Sequence, residues 1–222
     1  ATPPPGDELG RFASVVLADL EETWSALFAR AGVRYRPPTL VLYTGAVQSA
    51  CGFSSAASGP FYCPADQKVY LDLSFFDELD RLVGAPGDFA QAYVIAHEVG
   101  HHVQNLLGIS DQVHSAQQRS GSRAEANQYS VALELQADCL AGVWARNAVS
   151  TGFVTALTQA DIEDGLDAAS VIGDDRIQQQ MGGRVSPEGF THGTSAQRQR
   201  WLLTGYKSGG GGSCDTWKAA SL

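Results

Sequence analysis

The sequence has few basic residues, no long apolar run and no Cys-x-x-Cys pair, and each absence narrows what the chain can be. There are 15 Lys and Arg against 24 Asp and Glu, for a net charge of -9. Nucleic-acid binding needs clustered basic residues, so we expect no nucleic-acid partner. The longest apolar stretch, 89–96, is interrupted by Gln91 and is too short to span a bilayer. A structural zinc site made of cysteines is not expected.

The length and composition are those of a globular protein. The chain has 222 residues, of which 44% are hydrophobic, so it can bury a core without help from a metal. We predict a disordered, Pro-rich start over residues 1–6 and a single domain over residues 7–222. Because the sequence begins with Ala1 and its only methionine is Met181, we expect a processed or truncated N-terminus, with any signal peptide or membrane anchor missing.

The four cysteines fit two disulfides in a protein that works outside the cytoplasm. A Cys51–Cys63 bond would close a Gly/Ser-rich loop and stabilise the fold by roughly 3 kcal/mol. A Cys139–Cys214 bond then follows by elimination. The alternative is a cytosolic protein with four reduced, buried cysteines.

The apolar pattern predicts a mostly helical α+β fold with a small sheet of two or three strands in the N-terminal third. The first half of the helix over 88–107 is apolar on nearly every face, so we expect that helix to be buried. Thr194 and Gln197 form a capping-box pair at the start of the last helix. The expected helices span 7–32, 88–107, 122–149, 161–180 and 194–206, and the expected strands span 40–43 and 69–73, with a loop over 45–60.

The most informative segment reads Ala-His-Glu-Val-Gly-His and ends at His101. His97 and His101 share a helix face at i and i+4, so their imidazoles can bind one ion, and Glu98 can accept a proton from water beside them. These residues follow an apolar helical stretch, where ionisable groups cost several kcal/mol unless a partner compensates. A divalent cation is such a partner. The alternative is a structural helix whose histidines are satisfied by other groups.

A catalytic zinc site needs a third protein ligand, and Glu134 is the best candidate. It lies in an apolar helical stretch, whereas Glu125 and Glu163 have polar neighbours. Asp138 follows four residues later, on the same helix face, and can orient a ligand histidine by accepting its ring N–H. A solvated acidic helix face is the alternative.

Two further histidines are poor candidates for metal ligands. His102 points about 100° away from His101 around the helix, so we expect it to support the site or to lie on the surface. His114 lies in a polar stretch and is expected on the surface.

His192 and Arg198 are candidates for supporting roles at the site. His192 lies in a loop before the last helix, where it can stabilise an oxyanion. Arg198 can brace Glu134 or Asp138, or bind substrate carbonyls. Both residues could instead lie on the surface.

Four segments together resemble the bacterial putative neutral zinc metallopeptidase family, over roughly residues 43–217. The chain is also similar, more distantly, to the integral-membrane heat-shock metallopeptidases. Those share HExxH, a later Glu-x-x-Ala-Asp and a His followed six residues on by Arg, which here match Glu134, His192 and Arg198. The four segments are 59–66, 92–104, 134–139 and 191–195.

The resemblance implies a zincin-like domain with one Zn²⁺ bound by His97, His101 and Glu134, in an exported or membrane-anchored protein. The expected function is endopeptidase hydrolysis of a peptide or protein substrate, with Glu98 as general base and acid. The substrate would pair with the edge of strand 69–73. One alternative is a zinc-binding regulatory or assembly protein of the cell envelope without proteolysis; another is a structural, disulfide-linked module.

Overall fold

The structure is a computed structural model that describes residues 7–55, 59–83, 88–153, 158–171 and 191–222. It has the expected α+β architecture, mostly helical, with its strands in the N-terminal third. The predicted disordered start over 1–6 lies outside the described residues, and so does the 172–180 part of the predicted helix over 161–180. The extent of the domain stays a prediction.

Helices and strands follow one another in a simple order along the chain. Helix α1 precedes all the strands, and the remaining helices follow the last strand. A short 3-10 helix, Gly211–Ser213, leads into the C-terminal tail. The helices are α1 (Glu8–Arg30), α2 (Leu73–Val83), α3 (Asp88–Leu106), α4 (Ile109–Gln118), α5 (Arg123–Thr151), α6 (Gln159–Val171) and α7 (Ser195–Ser208), and the strands are β1 (Thr39–Tyr43), β2 (Ala46–Ser49), β3 (Gly52–Ser55), β4 (Phe61–Cys63) and β5 (Lys68–Asp72).

The predicted helix ends agree with the caps in the structure. Asp7 accepts a hydrogen bond from Gly10 N at the start of α1, and Ser122 accepts one from Glu125 N at the start of α5. The capping box of Thr194 and Gln197 is present at α7. These side chains satisfy N–H groups that have no partner within the helix, which fixes where each helix begins.

The main sheet has the strand order β1-β5-β4, so β5 is the central strand. It runs parallel to β1 and antiparallel to β4. The expectation that a substrate would pair with the strand over 69–73 is therefore wrong, because both edges of β5 already carry neighbours.

The segment over 45–60 was expected to be a loop, but it contains the antiparallel hairpin of β2 and β3. The hairpin turns at Ala50 and Cys51, between Ser49 and Gly52. Each strand carries a single large apolar side chain, Val47 in β2 and Phe53 in β3, so the sequence shows little of the alternation that marks a strand.

Helices α2 and α4 were also missed. Helix α2 begins directly after β5, with no turn residue between Asp72 and Leu73 to mark the boundary in the sequence. The Oδ1 of Asp72 accepts hydrogen bonds from the backbone N and the hydroxyl of Ser74. Helix α4 follows Gly108, whose φ is 76°, and has one buried side chain, Val113. A helix with so many polar residues shows only a weak helical periodicity of apolar residues in its sequence.

Helix α3 lies in the middle of the core, packed against α1, α5, α6 and the main sheet. Its apolar first half is buried, as predicted, with Ala90, Tyr93 and Ile95 at 0–1% exposure. Helix α1 is tied to α5 by a buried hydrogen bond, in which the Trp144 indole N–H donates to Asp19 Oδ2 at 2.8 Å.

Glycines set the close approach of α5 to its two neighbours. A Cβ added to Gly205 of α7 would overlap the carbonyl oxygen of Cys139, and one added to Gly142 of α5 would overlap that of Leu202. On the other side, a Cβ on Gly100 of α3 would lie 3.0 Å from the carbonyl oxygen of Ala137. The three helices are thus held nearly backbone to backbone around the middle of α5.

Within the described residues, none of the helices combines the length and apolar character needed to cross a bilayer.

Replacing Gly205 by Ala should destabilise the protein, although the same change stabilises an ordinary helix interior by about 1 kcal/mol. The new methyl group forces α7 away from α5, so we expect a loss of roughly 2–4 kcal/mol in the free energy of unfolding, measured by urea denaturation. Gly212→Ala is the control, since nothing lies within 4 Å of its added Cβ. An unchanged urea midpoint for Gly205→Ala would contradict the close crossing.

Candidate metal centre

Three side chains from two helices converge on one point. His97 and His101 extend from α3, and Glu134 extends from α5; each offers a ligand atom within 4.8 Å of the others. Glu134 Oε2 lies 3.0 Å from His97 Nε2 and 3.3 Å from His101 Nε2. Adjacent ligand atoms around a tetrahedral zinc ion lie about 3.3 Å apart, given bonds of about 2.0–2.1 Å. The spacing and the donor types therefore fit zinc.

The two histidines and Glu134 favour the charged forms of one another. Burial lowers the pKa of His97, but the carboxylates of Asp138 and Glu134 outweigh it and raise that pKa to about 10. Burial likewise lowers the pKa of His101, and Glu134 reverses the effect. Burial raises the pKa of the Glu134 carboxyl, but His101 and His97 hold it well below its usual range. A cation bound here would replace the protons on the imidazoles.

Asp138 holds His97 from behind. Its Oδ1 lies 2.8 Å from His97 Nδ1, and the carboxylate is fully buried. Because a carboxylate can only accept, Nδ1 donates to Asp138, and Nε2, which faces Glu134, is the nitrogen that can bind a metal. This is the contact that the i+4 spacing from Glu134 predicted.

Arg198 of α7 braces Asp138. Its Nε and Nη2 donate to the two carboxylate oxygens at 2.8 and 3.1 Å, and the Tyr93 hydroxyl donates to Oδ1. Of the roles considered for Arg198, the structure therefore contains the Asp138 contact. Its side chain is 2% exposed, so binding of substrate carbonyls, or a place on the surface, is wrong.

Gln104 orients His101 in the way that Asp138 orients His97. Its Oε1 lies 2.8 Å from His101 Nδ1, and its side chain is completely buried. Gln104 was not predicted from the sequence. The available signal was its spacing, because an amide three residues after His101 lies on the same helix face.

Glu98 lies on α3 next to His97 and is 8% exposed. Burial raises the pKa of its carboxyl, while His97 and His101 oppose the rise. A raised pKa suits a carboxylate that must take up a proton near neutral pH.

His102 is fully buried and points away from the metal ligands. Its Nε2 donates to the carbonyl oxygen of Arg36 at 2.6 Å, so its Nδ1 accepts from the Tyr62 hydroxyl at 2.7 Å. Burial lowers the pKa of His102. It is a neutral link between α3, β4 and the segment before β1, and the expectation of a surface position is wrong.

The other two histidines are exposed. His114 lies on α4, where its Nε2 is 3.1 Å from Gln118 Nε2, as expected for a surface residue. His192 precedes α7, with Nδ1 3.0 Å from the Thr191 hydroxyl. Its role toward an oxyanion stays a prediction.

Both predicted disulfides are present. Cys51 is bonded to Cys63, which joins the hairpin turn to β4, and Cys139 is bonded to Cys214, which joins α5 to the C-terminal tail. Cys139 directly follows Asp138, so the second bond joins the tail to the helix that carries Glu134.

Two histidines one helical turn apart, a carboxylate from a second helix and a glutamate beside the first histidine define a candidate zinc centre of the metallopeptidase type. In agreement, the model of the putative neutral zinc metallopeptidase family matches residues 2–217, and the chain belongs to that family.

Similar proteins cover most of the chain. One is "Uncharacterized protein YpfJ" of Escherichia coli K12, 51% identical over 214 residues, which are 96% of this chain and 73% of that protein. Another is "Uncharacterized protein Rv2575" of Mycobacterium tuberculosis H37Rv, 48% identical over 197 residues, which are 85% of this chain and 65% of that protein. No solved structure matches the chain.

Replacing Glu134 by Ala should remove the third ligand and leave two histidines, which hold zinc weakly. We expect the purified variant to carry less than about a tenth of the wild-type zinc content, measured by elemental analysis. Glu21→Ala, at an exposed position on α1, should bind zinc like wild type. Full zinc content in Glu134→Ala would remove Glu134 from the ligand set.

The metal-free protein should lose stability as the pH rises. The pKa of His97 is raised to about 10 on folding, from about 6.5 in the unfolded chain, so its contribution is complete below pH 6.5 and disappears as the pH approaches 10. We expect the free energy of unfolding to fall by up to about 1.4 kcal/mol per pH unit between pH 7 and 9.5, measured by urea denaturation with chelator. His97→Gln should flatten this slope, and an equal slope in both proteins would contradict the assignment.

Proposed function

We propose that this protein is a zinc-dependent endopeptidase that hydrolyses peptide bonds with an activated water molecule. The observation that carries the proposal is the convergence of His97, His101 and Glu134 within 4.8 Å, with Glu98 next to the first ligand. Membership of the zinc metallopeptidase family supports it.

The residues of the site divide into those that bind the metal ion, one that transfers protons, and those that orient a ligand. His97, His101 and Glu134 hold the ion, which when bound would polarise the scissile carbonyl and lower the pKa of its water toward 7. Glu98 takes the proton of the attacking water and delivers it to the leaving amine. Asp138 and Arg198 keep His97 in the orientation that the reaction needs.

Substrate contacts come from two places around the site. An extended substrate would pair with the outer edge of β4, which is an edge strand of the main sheet and packs against α3. His192, exposed before α7, donates to the oxyanion that forms during attack.

The domain works outside the cytoplasm in this proposal. Both cysteine pairs are bonded, and such bonds persist in oxidising compartments. The bond at Cys139 joins the C-terminal tail to α5, the helix that carries Glu134, so a reducing compartment would release this tail.

Replacing Glu98 by Gln tests the reaction separately from metal binding. The amide keeps the shape of the side chain but cannot accept the proton, so we expect at least about a 100-fold loss in casein cleavage with unchanged zinc content. Elemental analysis and a fluorescent casein assay on the same preparations measure both quantities.

Glu21→Gln on α1 serves as the control and should cleave like wild type. Normal cleavage by Glu98→Gln would overturn the assigned role of Glu98. A wild-type protein that binds zinc stoichiometrically yet cleaves neither casein nor a peptide library would instead favour a non-proteolytic regulatory or assembly protein.

A further inference from the structure

A chain of buried amide groups connects His101 to the C-terminal tail. His101 Nδ1 lies 2.8 Å from Gln104 Oε1. Gln104 Nε2 donates to the carbonyl oxygen of Leu133 at 2.7 Å and to Gln136 Oε1 at 2.9 Å. Gln136 Nε2 then donates to the carbonyl oxygen of Cys214 at 2.9 Å. The two glutamines are 0% and 7% exposed.

The two backbone carbonyls fix the direction of every hydrogen bond in this chain. A carbonyl oxygen only accepts, so the amide nitrogen of Gln136 must face Cys214 and its oxygen must face Gln104. For the same reason the amide nitrogen of Gln104 faces Leu133, and its oxygen faces His101. Neither amide can be turned over without placing two acceptors against each other.

This direction decides the tautomer of His101. Because Gln104 presents an acceptor, His101 carries a hydrogen on Nδ1. A metal that displaces the hydrogen on Nε2, which faces Glu134, then meets the Nε2 lone pair. If Gln104 turned over, its NH₂ group would face Nδ1 and favour the hydrogen on Nε2, where the metal must bind.

The far end of the chain is held by the C-terminal tail. Cys214 is bonded to Cys139 of α5, and the Thr216 hydroxyl donates to the carbonyl oxygen of Ala132 at 2.8 Å. Cys214 and Thr216 are 1% and 3% exposed. The tail therefore packs on the helix that carries Glu134, and it brings the Cys214 carbonyl to a fixed place.

We propose that Gln104 and Gln136 are positioning residues that hold His101 in its metal-binding tautomer, and that the disulfide-bonded tail at Cys214 completes this arrangement as part of the metal centre. The inference rests on the proposed metal site but not on proteolysis.

A double-mutant cycle on zinc affinity tests whether Gln136 acts through Gln104. Methionine replaces each glutamine, since it has a similar length and no amide. We expect Gln104→Met to weaken zinc binding about 10–100-fold and Gln136→Met about 10-fold. In the Gln104→Met background, the second change should add less than about 2-fold, because the connection is already lost.

The tail is tested by removing its disulfide without reduction. Cys139→Ala with Cys214→Ala should weaken zinc binding about 3–10-fold. The matched control, Cys51→Ala with Cys63→Ala, also loses a disulfide but leaves the amides in place, so it should bind zinc like wild type. Gln112→Met, at an exposed position on α4, controls for the loss of a glutamine.

The visible absorption spectrum of the Co²⁺-loaded protein gives a second readout, because it reports the ligand geometry and is independent of activity. It should change in Gln136→Met and stay unchanged in the Cys51/Cys63 control. Equal effects of Gln136→Met in both backgrounds, or an unchanged cobalt spectrum and zinc affinity, would overturn the proposal.

If Gln104→Met does not fold, the zinc affinities of Gln136→Met and of Cys139→Ala with Cys214→Ala still test the proposal. Failure of the proposed metal site looks different, because then wild type itself binds neither zinc nor cobalt. A wild-type protein that binds zinc but does not cleave peptides would contradict the proposed proteolysis and not the role of the two glutamines.

Discussion

The buried ion pair between Arg198 and Asp138 is the interaction on which the candidate metal centre depends. A carboxylate with no exposure to water costs several kcal/mol unless it is paired and hydrogen-bonded. Asp138 meets this condition through both of its oxygens, which receive Arg198, the Tyr93 hydroxyl and His97 Nδ1. Three helices, α3, α5 and α7, thus share one buried charge cluster, and the orientation of His97 follows from their packing.

That packing requires small residues where the helices cross. Gly100 of α3 faces the backbone at Ala137, while Gly142 and Gly205 bring α5 and α7 together. Gly100 lies inside the HExxH segment, between Glu98 and His101. The segment therefore serves two purposes: it carries the metal ligands, and it lets α5 come near enough for Glu134 to reach them.

More of the residues that form the candidate site could be predicted from the sequence than of the structure around them. His97, Glu98 and His101 are local in sequence, so helical spacing alone places them, and the apolar neighbours of Glu134 mark it as a buried carboxylate. Gln104 could have been found from its spacing to His101, but Gln136 could not, because only tertiary packing brings it near Gln104 and the Cys214 carbonyl. The hairpin of β2 and β3 and helix α4 were missed because few of their side chains are buried, so neither has the periodic burial that reveals an element in the sequence.

The hydrogen bond from Trp144 to Asp19 limits how the N-terminal region can be trimmed. It joins α1 to α5 across a buried interface, and Leu20 and Trp24 of α1 belong to the same core. A protease that cut within α1 would expose the Asp19 partner and the apolar side of α3 to water. Helix α1 is therefore part of the folded core, and a truncation that reached Asp19 would leave the buried Trp144 indole N–H without its acceptor.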